Sequence, residues 1–111
     1  MSTSGRTDHR ALAEAVRQRV LEGEAKTAPA LRASAWAAAI GDGAADSAPD
    51  ALARLVGQAS YRVTDAQVAT IVAETGSEKA AFEIVATAAA AAGLSRWQKA
   101  LEVLEAADAS R

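Results

Sequence analysis

The chain has 111 residues, a formal net charge of −2 at pH 7, 50% hydrophobic but only 4% aromatic residues, and no cysteine. That length suits one domain with a modest core, and the lack of cysteine excludes disulfides, thiolate catalysis and Cys-ligated metal centres. Charges of both signs are interspersed with no basic stripe, so nucleic-acid binding has no electrostatic footprint.

Alanine fills about thirty positions, far above ordinary usage, which favours helix and close helix–helix approach. Alanine buries little apolar area, and at roughly 25 cal/mol per Å² the resulting core is weak. A weak core favours a homo-oligomer or a partner subunit, either of which adds buried surface. The longest apolar run, residues 84–94, is about half of the ~20 residues a membrane span needs.

Residues 1–7 are small and polar and read as a frayed tail without the apolar stretch of a secretory leader. Residues 8–111 are expected to form a single helical domain of a soluble, cytoplasmic protein. Asp8 can cap a first helix to about Glu22, with Leu12, Val16 and Val20 on one face. Gly23 is its expected stop. Thr27 followed by Pro29 opens a second helix whose inward face is Leu31, Ala35, Ala38 and Ala39.

The segment IGDGAADSAPD is the clearest break, after which Ser47, Pro49 and Asp50 start a third helix. Leu52, Leu55, Val56 and Ala59 form its apolar stripe, and Gly57 within that stripe marks a close helix contact. Thr64 and Gln67 have capping-box spacing, with Val63 and Val68 as the staple, for a fourth helix over 65–75. Gly76 ends it and Ser77 restarts the chain as a fifth helix to Ala92, apolar over most of its circumference and therefore the central element. Gly93 then interrupts, and Ser95 can cap a last segment with Trp97, Leu101 and Leu104 inward. The pattern leaves open whether residues 78–109 form one kinked helix or two.

Candidate chemistry is sparse. His9, the single histidine, reads as a solvated residue at the edge of the tail, and no cluster has metal-ligand spacing, so no metal or cofactor is expected. Gly41-Asp42-Gly43 lacks both the Walker and the dinucleotide pattern and reads as a turn. Tyr61, before the capping box, could close a pocket or simply pack. Glu83 lies between Phe82 and Ile84 on the most apolar helix. Facing inward, its pKa would rise and it could transfer protons; the alternative is a solvated pair with Lys79 four residues earlier. Arg96 stands at a helix start, where a cation is unfavourable unless it pairs. It could meet Glu83, bind a carboxylate through its planar fork, or reach solvent.

The run RVTDAQVATIVAETGSEKAAFEIVATAAAAAGLSRWQKALEVL resembles the C-terminal half of the alkylhydroperoxidase-like, or carboxymuconolactone decarboxylase-like, helical domain. Such proteins show a T-D-x-x-V helix, a glycine, an acidic start to an Ala-rich helix with F-E near its beginning, and an Arg before a final amphipathic helix. Here these features fall on Thr64, Asp65, Val68, Gly76, Glu78, Phe82, Glu83 and Arg96. The first half, including APALRASAWA, is compatible with the resemblance. What it implies is an all-α bundle of five to six helices assembled as homo-oligomers, from dimers to hexamers. The family's peroxidases use a CxxC pair helped by Glu and His; with no cysteine, thiol peroxidase and disulfide reductase activity do not carry over. Its decarboxylase branch works through acid–base residues, which Glu83 alone loosely matches.

Three expectations follow. The first is a cysteine-free helical domain of that family, serving as a non-peroxidase auxiliary or structural oligomeric subunit. The second is a cofactor-independent lyase, decarboxylase or isomerase acting on a small carboxylate, with Glu83 as acid or base and Arg96 as the carboxylate clamp. That reading requires the two residues to line one cleft. The third is an unrelated helical protein-interaction module.

Overall fold

The computed structural model describes residues 5–110, with side chains from residue 9 onward. The fold is all-α. Among the described residues the elements are α1 (Gly5–Glu22), α2 (Pro29–Ala39), α3 (Ala48–Ala59), a 3-10 turn at Ser60–Arg62, α4 (Asp65–Thr75) and α5 (Glu78–Ala109), with no strand. No helix of this set is long and apolar enough to cross a membrane.

Local chemistry sets most boundaries. Ser47 accepts a hydrogen bond from the Asp50 amide at the start of α3, and Ser77 accepts one from the Ala80 amide at the start of α5. At α4 the capping box forms in full: the Thr64 hydroxyl accepts from the Gln67 amide, and the Gln67 side-chain oxygen accepts from the Thr64 amide at 2.9 Å. Gly76 ends α4 at φ +71°, a left-handed conformation that side chains with a Cβ rarely adopt.

The centre of the molecule is where α2, α3 and α5 meet, closed on one side by α4. Its fully buried members are mostly alanines: Ala35 and Ala38 of α2, Ala53 of α3, Ala88 and Ala91 of α5. Leu52, Ile71, Ile84 and Thr87 are the largest fully buried side chains. A core of methyl groups gains contact only if the helix backbones come close. Gly57 allows this between α3 and α2, since a Cβ built there would stand 2.1 Å from the Ala39 carbonyl oxygen. The close contact expected at that glycine is therefore present.

Four expectations need correction. Helix α1 starts at Gly5, so Asp8 lies inside it rather than capping it; of the expected tail, residues 1–4 lie outside the described residues. Thr27 does not cap α2. The cap position is Ala28, without a side-chain bond, and Thr27 is instead buried. Gly93 does not interrupt the last helix: α5 runs unbroken through 32 residues and Ser95 lies in its interior. One glycine costs about 1 kcal/mol against alanine, which the flanking alanine-rich turns outweigh.

The fourth correction concerns sidedness. Leu104 of α5 is 63% exposed although it is expected to face inward, and Leu12 and Val16, on the shared apolar face of α1, are 64% and 45% exposed. Trp97 and Leu101 are only half-buried. The cause is length. At 1.5 Å per residue α5 extends for about 48 Å, beyond the reach of the short helices α2–α4. The molecule measures 53 × 28 × 20 Å, and its 16.0 Å radius of gyration exceeds the ~13 Å of a compact chain this size. Helix α1 runs antiparallel to α5, with Arg10 paired to Glu105 and the end of the α1–α2 connection bonded to Glu83. The far part of this helix pair is an arm with few neighbours.

Candidate functional site

Glu83 is half-buried, one turn into α5, and its carboxylate points at the α1–α2 connection. One oxygen accepts from the Thr27 amide and the Thr27 hydroxyl, both at 2.8 Å, and the other accepts from the Lys26 amide at 3.0 Å. Burial alone would raise its pKa. The two backbone amides, the hydroxyl and the charge of Lys79 outweigh that effect and hold the carboxyl below its ordinary value. A carboxylate stabilised in its charged form by three donors is a poor proton donor near neutral pH. Lys79 contributes, as the sequence suggested, but the amides are the direct partners.

Arg96 lies farther along the same helix, a separation of about 20 Å at the helical rise and on the opposite side of the axis by the 100° turn per residue. It donates to the Gly57 carbonyl at 2.7 Å. Gly57 is in the last turn of α3, where carbonyls lack intrahelical partners, so the guanidinium satisfies an orphan acceptor and complements the helix dipole. The shallow depression beside it, about 70 Å³, is lined by Gly57, Gln58, Ser95 and neighbours and does not include Glu83. The two residues therefore do not form one cleft. Each holds a piece of backbone.

The same device recurs in residues the sequence reading passed over. Arg32 of α2 is 4% exposed and donates to the Val20 carbonyl in the last turn of α1 at 2.6 Å. Gln58 of α3 donates to the carbonyl of Ala39, the last residue of α2, at 2.9 Å. Thus the ends of α1, α2 and α3 are each closed by a side chain from a later helix. The Nε of Arg32 is buried without a partner, and its charge is met by the α1 terminus rather than by a carboxylate. No local sequence signal marks such a role, because donor and acceptor are brought together only by the fold.

The remaining sequence candidates are unoccupied by chemistry. His9 is exposed, Tyr61 is 88% exposed, and Gly41 and Gly43 form an exposed turn at positive φ. Among the described residues no group of three or more His, Asp and Glu side chains could hold a metal ion.

Two depressions flank the contact between α1 and the outer half of α5. On one side is an apolar groove of about 330 Å³ bordered by Leu12, Val16, Leu94 and Trp97. On the other is a larger one of about 410 Å³, where Trp36 and Ile40 of α2 meet Trp97 and Leu94 of α5 under a rim of charged side chains. Both tryptophans of the chain line this second groove. Against this geometry, no family model, no curated protein and no solved structure matches the chain.

Proposed function

We propose that the chain is a non-catalytic helical subunit of the alkylhydroperoxidase-like type, without thiol chemistry, acting in the cytoplasm as a homo-oligomer. The observation that carries this reading is the apolar groove left open on the arm, where Leu12 and Val16 of α1 meet Leu94 and Trp97 of α5, with Leu104 exposed one heptad beyond Trp97. Contiguous exposed apolar surface on a small domain marks an interface. The commitment of Glu83 and Arg96 to backbone supports the non-catalytic part, since neither is left free to move a proton or clamp a substrate. The lyase reading, with those two residues in one cleft, has no such support.

Light scattering on the full chain tests the proposal. The expected result is a discrete multiple of 11.3 kDa that collapses to the single-chain mass when Leu12 and Leu104 are both changed to Glu, with helix content unchanged. A wild-type chain that stays monomeric at every concentration overturns the self-assembly reading and leaves the open face to a different protein.

A further inference from the structure

We propose that the groove between α1, α2 and the outer half of α5 binds a flat aromatic or conjugated carboxylate, with its ring against the indoles of Trp36 and Trp97 and its charge at Lys99. This groove shares Ala13, Leu94 and Trp97 with the apolar groove on the arm, so ligand binding and assembly meet at Trp97.

The first ground is where the large side chains are. A chain this poor in aromatic residues would gain most by burying its indoles. Instead the core is closed by alanine, and both tryptophans are half-buried in the same groove. Its 410 Å³ falls within the range of small-molecule sites, and an apolar floor of Ile40, Ala91 and Leu94 lies beneath the indoles. The Arg17 guanidinium lies 5.8 Å from the Trp36 ring centroid and also lines the groove.

The second ground is the balance of charge. Each carboxylate at the rim has a donor: Glu14 faces Arg17 at 3.7 Å, and Glu102 accepts from the Gln98 amide at 3.3 Å. Arg10 is paired with Glu105. Of the three cations lining the groove, Lys99 alone makes no ion pair among the described residues, and neither indole N–H has a protein acceptor there. One ammonium and two indole N–H groups on residues lining the slot thus lack a protein partner, while Glu102 is bonded to a neutral amide alone. These donors suit a carboxylate carried on a ring, and the lining holds three cations, Arg10, Arg17 and Lys99, against two carboxylates, Glu14 and Glu102.

Cinnamate and its near-isosteric neutral amide, cinnamamide, separate the charge from the ring. The chain has only two tryptophans, both lining the groove, so at a protein concentration where the assembly state is constant tryptophan emission reports occupancy, and calorimetry gives the affinity. The expected result is saturable quenching by cinnamate at sub-millimolar concentration, with cinnamamide weaker by roughly tenfold. Lys99→Gln should weaken cinnamate about three- to fivefold, the worth of one exposed charge, and leave cinnamamide unchanged. Trp36→Leu should weaken both ligands, and an unchanged circular dichroism spectrum would separate this from misfolding. Equal affinity for acid and amide, or no saturable quenching by cinnamate up to 10-millimolar order, overturns the proposal. So does binding that disappears as the protein self-associates, because a second copy would then be the occupant of the groove.

Discussion

The inner and outer halves of this molecule use opposite strategies. Around α2, α3, α4 and the first half of α5, small side chains are buried completely and the helices touch almost backbone to backbone. Along α1 and the part of α5 beyond Arg96, larger apolar side chains remain at the surface, and α1 packs only against α5 and α2. An alanine core yields little hydrophobic free energy per residue, about 0.8 kcal/mol per buried methyl-sized group. Close approach must add dispersion and satisfied polar contacts. That is why the inner half carries the cross-helix bonds from Arg32, Gln58, Arg96 and Glu83, whereas the arm has mainly the Arg10–Glu105 pair. Stability and surface availability are therefore separated along one long helix.

The sharpest way to break the inner half is Gly57→Ala. A methyl 2.1 Å from the Ala39 carbonyl oxygen cannot be accommodated by a side-chain rotation, because the obstacle is backbone. Helices α2 and α3 must separate, and the expected loss is about 3 kcal/mol or more. Ile84→Ala, at a fully buried position, should lose about 2–5 kcal/mol through lost burial and a cavity. Urea unfolding midpoints measure both. A loss below ~0.5 kcal/mol at Gly57 would mean that the α2–α3 approach is looser than described.

Glu83→Gln tests the join between the halves, where the carboxylate of α5 holds the connection that leads out of α1. The amide keeps one acceptor but loses the charge that strengthens bonds from Lys26 and Thr27, so the expected cost is about 1 kcal/mol, discounted for partial exposure. Its pH dependence has a definite sign. The folded pKa lies below the ordinary one, so the stabilisation is complete above the ordinary carboxylate value of about 4.3 and is lost as pH falls through the folded value. Wild type and variant should differ at pH 7 and converge in acid. Parallel stability curves down to pH 3 would remove the carboxylate from the account.

How much of this was legible in the sequence depends on the range of the interaction. The capping box of Thr64 and Gln67 and the serine caps at Ser47 and Ser77 are local patterns, visible within four residues. Gly57 was conspicuous as a glycine inside an apolar stripe. Thr27 misled because its hydroxyl, a good cap by type, is taken by a carboxylate 56 residues away. Arg32 gave no signal, since a basic residue in a helix is ordinarily solvated. Glu83 and Arg96 stood out as charges on an apolar helix, and the fold gives both of them backbone partners. The groove was not legible at all: Trp36 and Trp97 belong to different helices, and Trp97 looked like part of an inward stripe.

The smallest expected effect is on the arm, and it bears most directly on sidedness. The spacing of Leu12, Val16 and Leu104 shows that these faces require cover, but periodicity cannot say whether this chain supplies it. If the faces are open in the single chain, Leu12→Ser and Leu104→Ser should each change the unfolding free energy of dilute protein by no more than about 0.5 kcal/mol, because little area leaves contact. At higher concentration the same substitutions should lower the unfolding midpoint, since association adds stability through mass action and the polar hydroxyls weaken it. A concentration-independent loss of about 2 kcal/mol would instead place these leucines in intramolecular contact, folding the arm back on the body and erasing the contrast between the two halves.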